Sequence, residues 1–173
     1  MEAIVAIFVI TAGIVGVSSL VAQTISSATF SKDRLIAAYL AQEGIEIVRN
    51  IRDTNWLEGT TNPWDEGLTS CSTGCEVDYY CTTVVDPDAT NPPSHNCLAS
   101  YGTGNFLKLD TNNFYNYATG TETKFKRKIT ISKEEYPAGS GRYDKMIVTV
   151  EVFWEERGKP HSFPVQENLY NWK

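Results

Sequence analysis

The sequence predicts an α+β protein in which one long N-terminal α-helix packs against an antiparallel β-sheet. Three observations predict it. Residues 3–22 carry no charged side chain. From residue 30 the apolar positions Ile36, Leu40, Gly44, Ile47 and Ile51 recur at helical spacing among Asp33, Arg34, Glu43, Glu46, Arg49 and Arg52. Beyond residue 70, short β-forming segments alternate with turn-forming residues. The chain therefore divides into a helix over 1–53 and a disulfide-braced globular β-domain over 54–173. Within the helix, 1–25 is the apolar half and 26–53 the amphipathic half.

No proline interrupts residues 1–53, and Gly13, Gly16, Ser18 and Ser19 weaken a helix without stopping it. A single helix of roughly 50 residues reaches about 75 Å, more than twice the width of a small domain, so half of it is expected to project. The projecting half is the apolar one, because a helix apolar on every face needs lipid or other helices around it. At about 20 residues the uncharged run is also long enough to cross a bilayer. A cleaved signal peptide would carry Lys or Arg ahead of the run, and none is present. Glu2 is the one charge among the first 30 residues. A carboxylate at membrane depth costs on the order of 3 kcal/mol without a partner, so Glu2 is expected either at a headgroup, favoured by the helix dipole, or against a cation of a neighbouring copy.

Met1-Glu2-Ala3-Ile4-Val5-Ala6-Ile7, the apolar stretch to Ala22 and then Ala38-Tyr39-Leu40-Ala41-Gln42-Glu43-Gly44-Ile45-Glu46 together resemble the N-terminal region of bacterial type IV pilins and type II secretion pseudopilins. The likeness covers about the first third of the chain. Family members carry a basic leader and a glycine before their glutamate, whereas here Met1 alone precedes Glu2. The resemblance implies a structural subunit that waits in the cytoplasmic membrane, is handled by pilus assembly machinery and polymerises into an extracellular helical filament of identical copies. It implies that Glu2 meets the N-terminal amine, here that of Met1, on an adjacent subunit. Ile4, Ile7, Phe8, Ile10, Ile14, Val17 and Leu20 would then form the filament core. The alternatives are a minor pilin or pseudopilin of a secretion system, and a membrane-anchored extracellular binding domain that never polymerises.

The body supports an exported, non-nucleic-acid-binding product. Beyond residue 30 it holds 15 basic and 20 acidic residues, an acidic balance that assigns no nucleic acid partner. The helix is expected to end near Asp53-Thr54-Asn55, with Trp56 and Leu57 beginning the globular packing and residues 58–70 forming surface loop. Cys71, Cys75, Cys81 and Cys97 are an even set in one short stretch, which favours two disulfides with three pairings open. Their spacing, even with His95, departs from the usual zinc pattern, and no Cys-x-x-Cys marks a redox pair.

Residues 76–85 are rich in β-formers and predict the first strand. Asp86-Pro87-Asp88-Ala89-Thr90-Asn91-Pro92-Pro93 follows as a turn region without the glycine and glutamate of a calcium loop. A meander is then expected. Phe106-Leu107-Lys108-Leu109 and Phe114-Tyr115-Asn116-Tyr117 flank a turn at 110–113, and a strand over 123–132 places Phe125, Arg127, Ile129 and Ile131 on one side. The lysines at 124, 126 and 128 read as its solvated face. After a turn at 137–141, Met146, Val148, Val150, Val152 and Trp154 form an apolar face expected against the helix. The Glu156-Arg157-Gly158-Lys159 turn leads to a return strand over 161–170 with Phe163, Val165 and Leu169 packing. This last hairpin also resembles, more loosely, the C-terminal hairpin of pilin-like proteins.

No local motif pairs a base with a nucleophile. His95 and His161 both stand apart, and Gly-x-Ser-x-Gly, a phosphate-binding glycine loop and His-Glu-x-x-His are all missing from the sequence. The expectation is a non-enzymatic protein without cofactor or metal.

Overall fold

The computed structural model describes residues 1–57, 63–79, 98–102 and 104–171. Its architecture is the expected one, a long N-terminal helix α1 (Glu2–Leu57) and an antiparallel seven-stranded sheet. Two compact units divide at the helix, Met1–Ile36 and Ala37–Lys173. In the second, residues 37–57 of α1 lie on strands β1 (Cys75–Glu76), β2 (Ala99–Ser100), β3 (Phe106–Leu109), β4 (Tyr115–Asn116), β5 (Thr121–Glu134), β6 (Lys145–Glu156) and β7 (Lys159–Tyr170).

The buried stripe of α1 is rotated from the one the sequence suggests. Ala37, Leu40, Ala41, Gly44, Ile45, Val48 and Ile51 are buried, while Ile36 and Ile47 are only half-buried. Small residues at 37, 41 and 44 let the backbone approach the sheet, so the stripe takes in Ala37 and Ala41 beside Leu40, Ile45, Val48 and Ile51 and leaves Ile36 and Ile47 at its margin. Against it lie Phe125, Ile129 and Ile131 of β5 and Met146, Val148, Val150, Val152 and Trp154 of β6, all buried, as the alternation requires. On β7, Leu169 is buried but Phe163 and Val165 are half-exposed.

The helix runs past Asp53, to Leu57. Arg52 pairs with Asp53 at 2.7 Å and lies 4.7 Å over the Trp56 ring, and the Asn55 side-chain amide donates to the carbonyls of Trp64 and Glu66. Side-chain bonds thus hold a last turn whose residue types favour turns. In the segment that follows, Pro63, Glu66, Gly67, Thr69 and Ser70 are exposed as expected of a surface loop, but Asp65 and Leu68 are buried and anchor it, and Thr69–Ser72 form a 3₁₀ turn. Residues 58–62 lie outside the described residues.

The strand expected over 76–85 is present only as β1; residues 77–79 leave the ladder, and 80–85 and the turn region 86–93 lie outside the described residues. The meander is also corrected. β3 and β4 form a hairpin, but β5 pairs with β3 and with β1 along one edge and with β6 along the other. The Thr123 hydroxyl donates to the Leu107 carbonyl at 2.6 Å where the β3–β5 register shifts between Phe106 and Lys108, so the bulge is held by a side chain.

Two turns show why their residues are there. In the β6–β7 hairpin, Arg157 and Gly158 have φ of 52° and 72°, the left-handed pair of a two-residue hairpin loop, which glycine adopts without steric penalty. In the β3–β4 turn, Asp110 accepts from the backbone N–H groups of Asn112 and Phe114 and from the Tyr79 hydroxyl. The Phe114 N–H, foremost, and then those other donors hold the Asp110 carboxyl below its ordinary value. Its contribution to stability is therefore complete above the usual carboxylate range and is lost as pH falls through the depressed value.

β7 is an edge strand among the described residues. The Asn171 N–H bonds the Asp144 carbonyl across from it, so odd-numbered residues face β6 and even-numbered ones, including Pro160 and Pro164, face outward. The two prolines remove two outward donors and blunt the edge. Pro160→Thr with Pro164→Thr is expected to leave the fold intact and to produce concentration-dependent oligomers in detergent, where the unsubstituted chain stays monomeric by analytical ultracentrifugation.

Candidate functional site

The residues singled out for assembly all lie in the unit Met1–Ile36. Glu2 opens α1, and Met1 and Glu2 are exposed. Ile4, Ile7, Phe8, Ile10, Ile14, Val17 and Leu20 are each between 59 and 71% exposed. The most apolar 18-residue window of α1 has a mean hydropathy of 2.6, and none of it is buried. Length and composition make α1 long and apolar enough to cross a membrane.

Three hydroxyls of this stretch are satisfied inside the helix. The hydroxyls of Thr11, Thr24 and Thr29 donate back to the carbonyls of Ile7, Leu20 and Ile25 at 2.9 to 3.0 Å. That is how hydroxyls are accommodated in an apolar medium, where no water is available to them. Gly13 and Gly16 have open space where a side chain would stand. Nothing among the described residues requires their smallness.

Within the unit Ala37–Lys173, α1 is held by a residue noted in the sequence only as an interruption of an apolar face. Arg127 is fully buried. It donates through Nη1 to the Leu40 carbonyl of α1 at 2.9 Å and through Nη2 to the Val77 carbonyl, and Glu43 lies 3.3 Å from Nη1. Its planar fork joins helix, sheet and the segment after β1 in one bond set. Gly44 makes room for it: a Cβ there would stand 3.0 Å from Val150 and 3.2 Å from the Arg127 side chain. The Tyr117 hydroxyl donates to the Arg127 carbonyl at 3.3 Å, and burial pushes that phenol far above its ordinary value, keeping it a neutral donor.

The segment 71–79 gathers the remaining tethers. Cys71 and Cys75 form a disulfide, and both are buried, so these two thiols are neither metal ligands nor free. Cys81 and Cys97 lie outside the described residues. Cys75 pairs with Ser100 on β2 and Ile129 on β5. The buried Glu76 carboxylate accepts from the backbone and side chain of Asn105, and Asp78 accepts from the Tyr117 N–H at 3.0 Å. Replacing Cys71 and Cys75 by Ser is expected to lower stability by about 2 kcal/mol, the value for so short a closed loop, read as a lowered guanidinium midpoint of the full chain in detergent. An unchanged midpoint would show that the carboxylate tethers hold the segment without the staple.

No protein-family model, no curated protein and no solved structure matches the chain.

Proposed function

We propose that the chain is the structural subunit of an extracellular pilus-like filament, held in the cytoplasmic membrane by α1 before assembly and polymerising through it. The observation that carries this reading is the exposed apolar surface of residues 4–20, none of which is buried. Burial of each of these large side chains is favourable by on the order of 1.5 to 3 kcal/mol, and lipid first and neighbouring helices afterwards supply it. The in-helix bonding of Thr11 and the open space at Gly13 and Gly16 support close helix association in such a medium. The resemblance to type IV pilins gives Glu2 its role: its carboxylate meets the amine of Met1 on the next subunit and sets the register of addition. The β-sheet unit then coats the outside, braced by Cys71–Cys75.

Glu2→Ala tests the reading. It is expected to abolish or greatly slow filament formation while the membrane-inserted subunit accumulates at its normal level, as measured by immunoblotting of sheared and membrane fractions. Normal filaments from that variant would remove Glu2 from the mechanism.

A further inference from the structure

We infer that the outer face of β3, β5 and β6 binds an acidic sugar, a disaccharide-sized unit carrying one carboxylate. Phe106, Lys126 and Phe153 are in register on these three adjacent strands. Strand spacing puts the two rings about 10 Å apart with the lysine stem between them, a span comparable with two linked sugar rings. The Lys126 ammonium lies 4.4 Å above the Phe106 ring, and the Tyr101 ring stands 6.4 Å from that of Phe153. The row opens into a groove of about 520 Å³, also lined by Lys124, Glu155 and Pro160 of the same face, a volume within the range of small-ligand sites.

The chemistry of the lining selects the ligand. Aromatic faces take the apolar C–H faces of a sugar, and Glu155 offers hydrogen-bond acceptors to its hydroxyls. Lys124 and Lys126 against Glu155 leave an excess of one positive charge in a chain whose net charge is -6, which matches one carboxylate through a charge-assisted bond. Lys128 adds nothing to that excess, because Glu151 stands opposite it on β6. A nucleic acid strand draws its affinity from several neutralised phosphates, and one net charge is a poor match. The assignment concerns the sheet unit alone.

The test is titration calorimetry of the full chain in detergent with cellobiouronic acid, with neutral cellobiose and with a thymidine hexanucleotide. The acidic sugar is expected to bind about tenfold more tightly than cellobiose. Lys124→Gln with Lys126→Gln should erase that preference, and Phe153→Ser should weaken both sugars about tenfold, with thermal melting confirming that each variant folds. Absence of saturable binding at millimolar sugar, equal binding of the two sugars, or sugar binding unchanged in the variants overturns the assignment. Tighter binding of the hexanucleotide, lost in the same variants, gives the groove to single-stranded nucleic acid instead.

Discussion

Arg127→Met is expected to cost about 3 to 5 kcal/mol of the stability of the sheet unit. The substitution keeps most of the buried volume, so the loss comes from unpaired polar groups. The Val77 carbonyl loses the donor that Arg127 gives it, at a desolvation penalty of about 1 to 3 kcal/mol, and the Leu40 carbonyl keeps its helix bond but loses the second, charge-assisted one. Arg127→Lys should recover little, because one ammonium on a flexible stem does not reproduce a fork that reaches two carbonyls at once. Glu43→Gln should cost under about 1 kcal/mol, since the Glu43 side chain is 32% exposed and its contact is screened. Guanidinium unfolding of the three variants in detergent decides between these contributions. If Glu43→Gln costs as much as Arg127→Met, the ion pair and not the carbonyl bonding holds the helix down.

Gly44→Leu is expected to cost about 3 kcal/mol or more. Val150, Arg127 and Ile129 all stand within 3.4 Å of where its Cβ would be, and a branched side chain there has to displace α1 or the arginine. Gly44→Ala should fall near neutral, because the roughly 1 kcal/mol gained in helix propensity offsets the crowding. The two sites share a contact, so the double variant Gly44→Leu, Arg127→Met should cost less than the sum of the singles. Additive losses would show that Gly44 serves the helix path without serving the arginine.

What was legible in the sequence is what depends on local pattern. β6 was readable because Met146 to Trp154 alternate without a break, and the apolar half of α1 because twenty uncharged residues admit few other readings. The role of Arg127 was not readable, because its acceptors lie 87 and 50 residues away, and a charge on an apolar strand face signals a partner without naming it. Leu40, Gly44 and Ile51 of the expected helix stripe are buried, but Ile36 and Ile47 were weighed above Ala37 and Ala41, although closeness of backbones selects small residues. Of the first strand expected over 76–85, residues 77–79 are not in a ladder, because β-propensity counts side chains and not ladder partners. Glu76 and Asp78 spend their carboxylates on Asn105 and Tyr117, and the chain leaves the sheet there. The pairing of β3 with β5 includes a register shift bridged by the Thr123 hydroxyl, which no periodicity records.

Cryo-electron microscopy of sheared surface appendages tests the central claim most directly. The account predicts helical filaments built from copies of this chain, with Ile4, Phe8, Ile14 and Leu20 packed around the axis and the sheet units outside. Recovery of the chain only as detergent-soluble monomers, or filaments in which those four side chains face water, would contradict it.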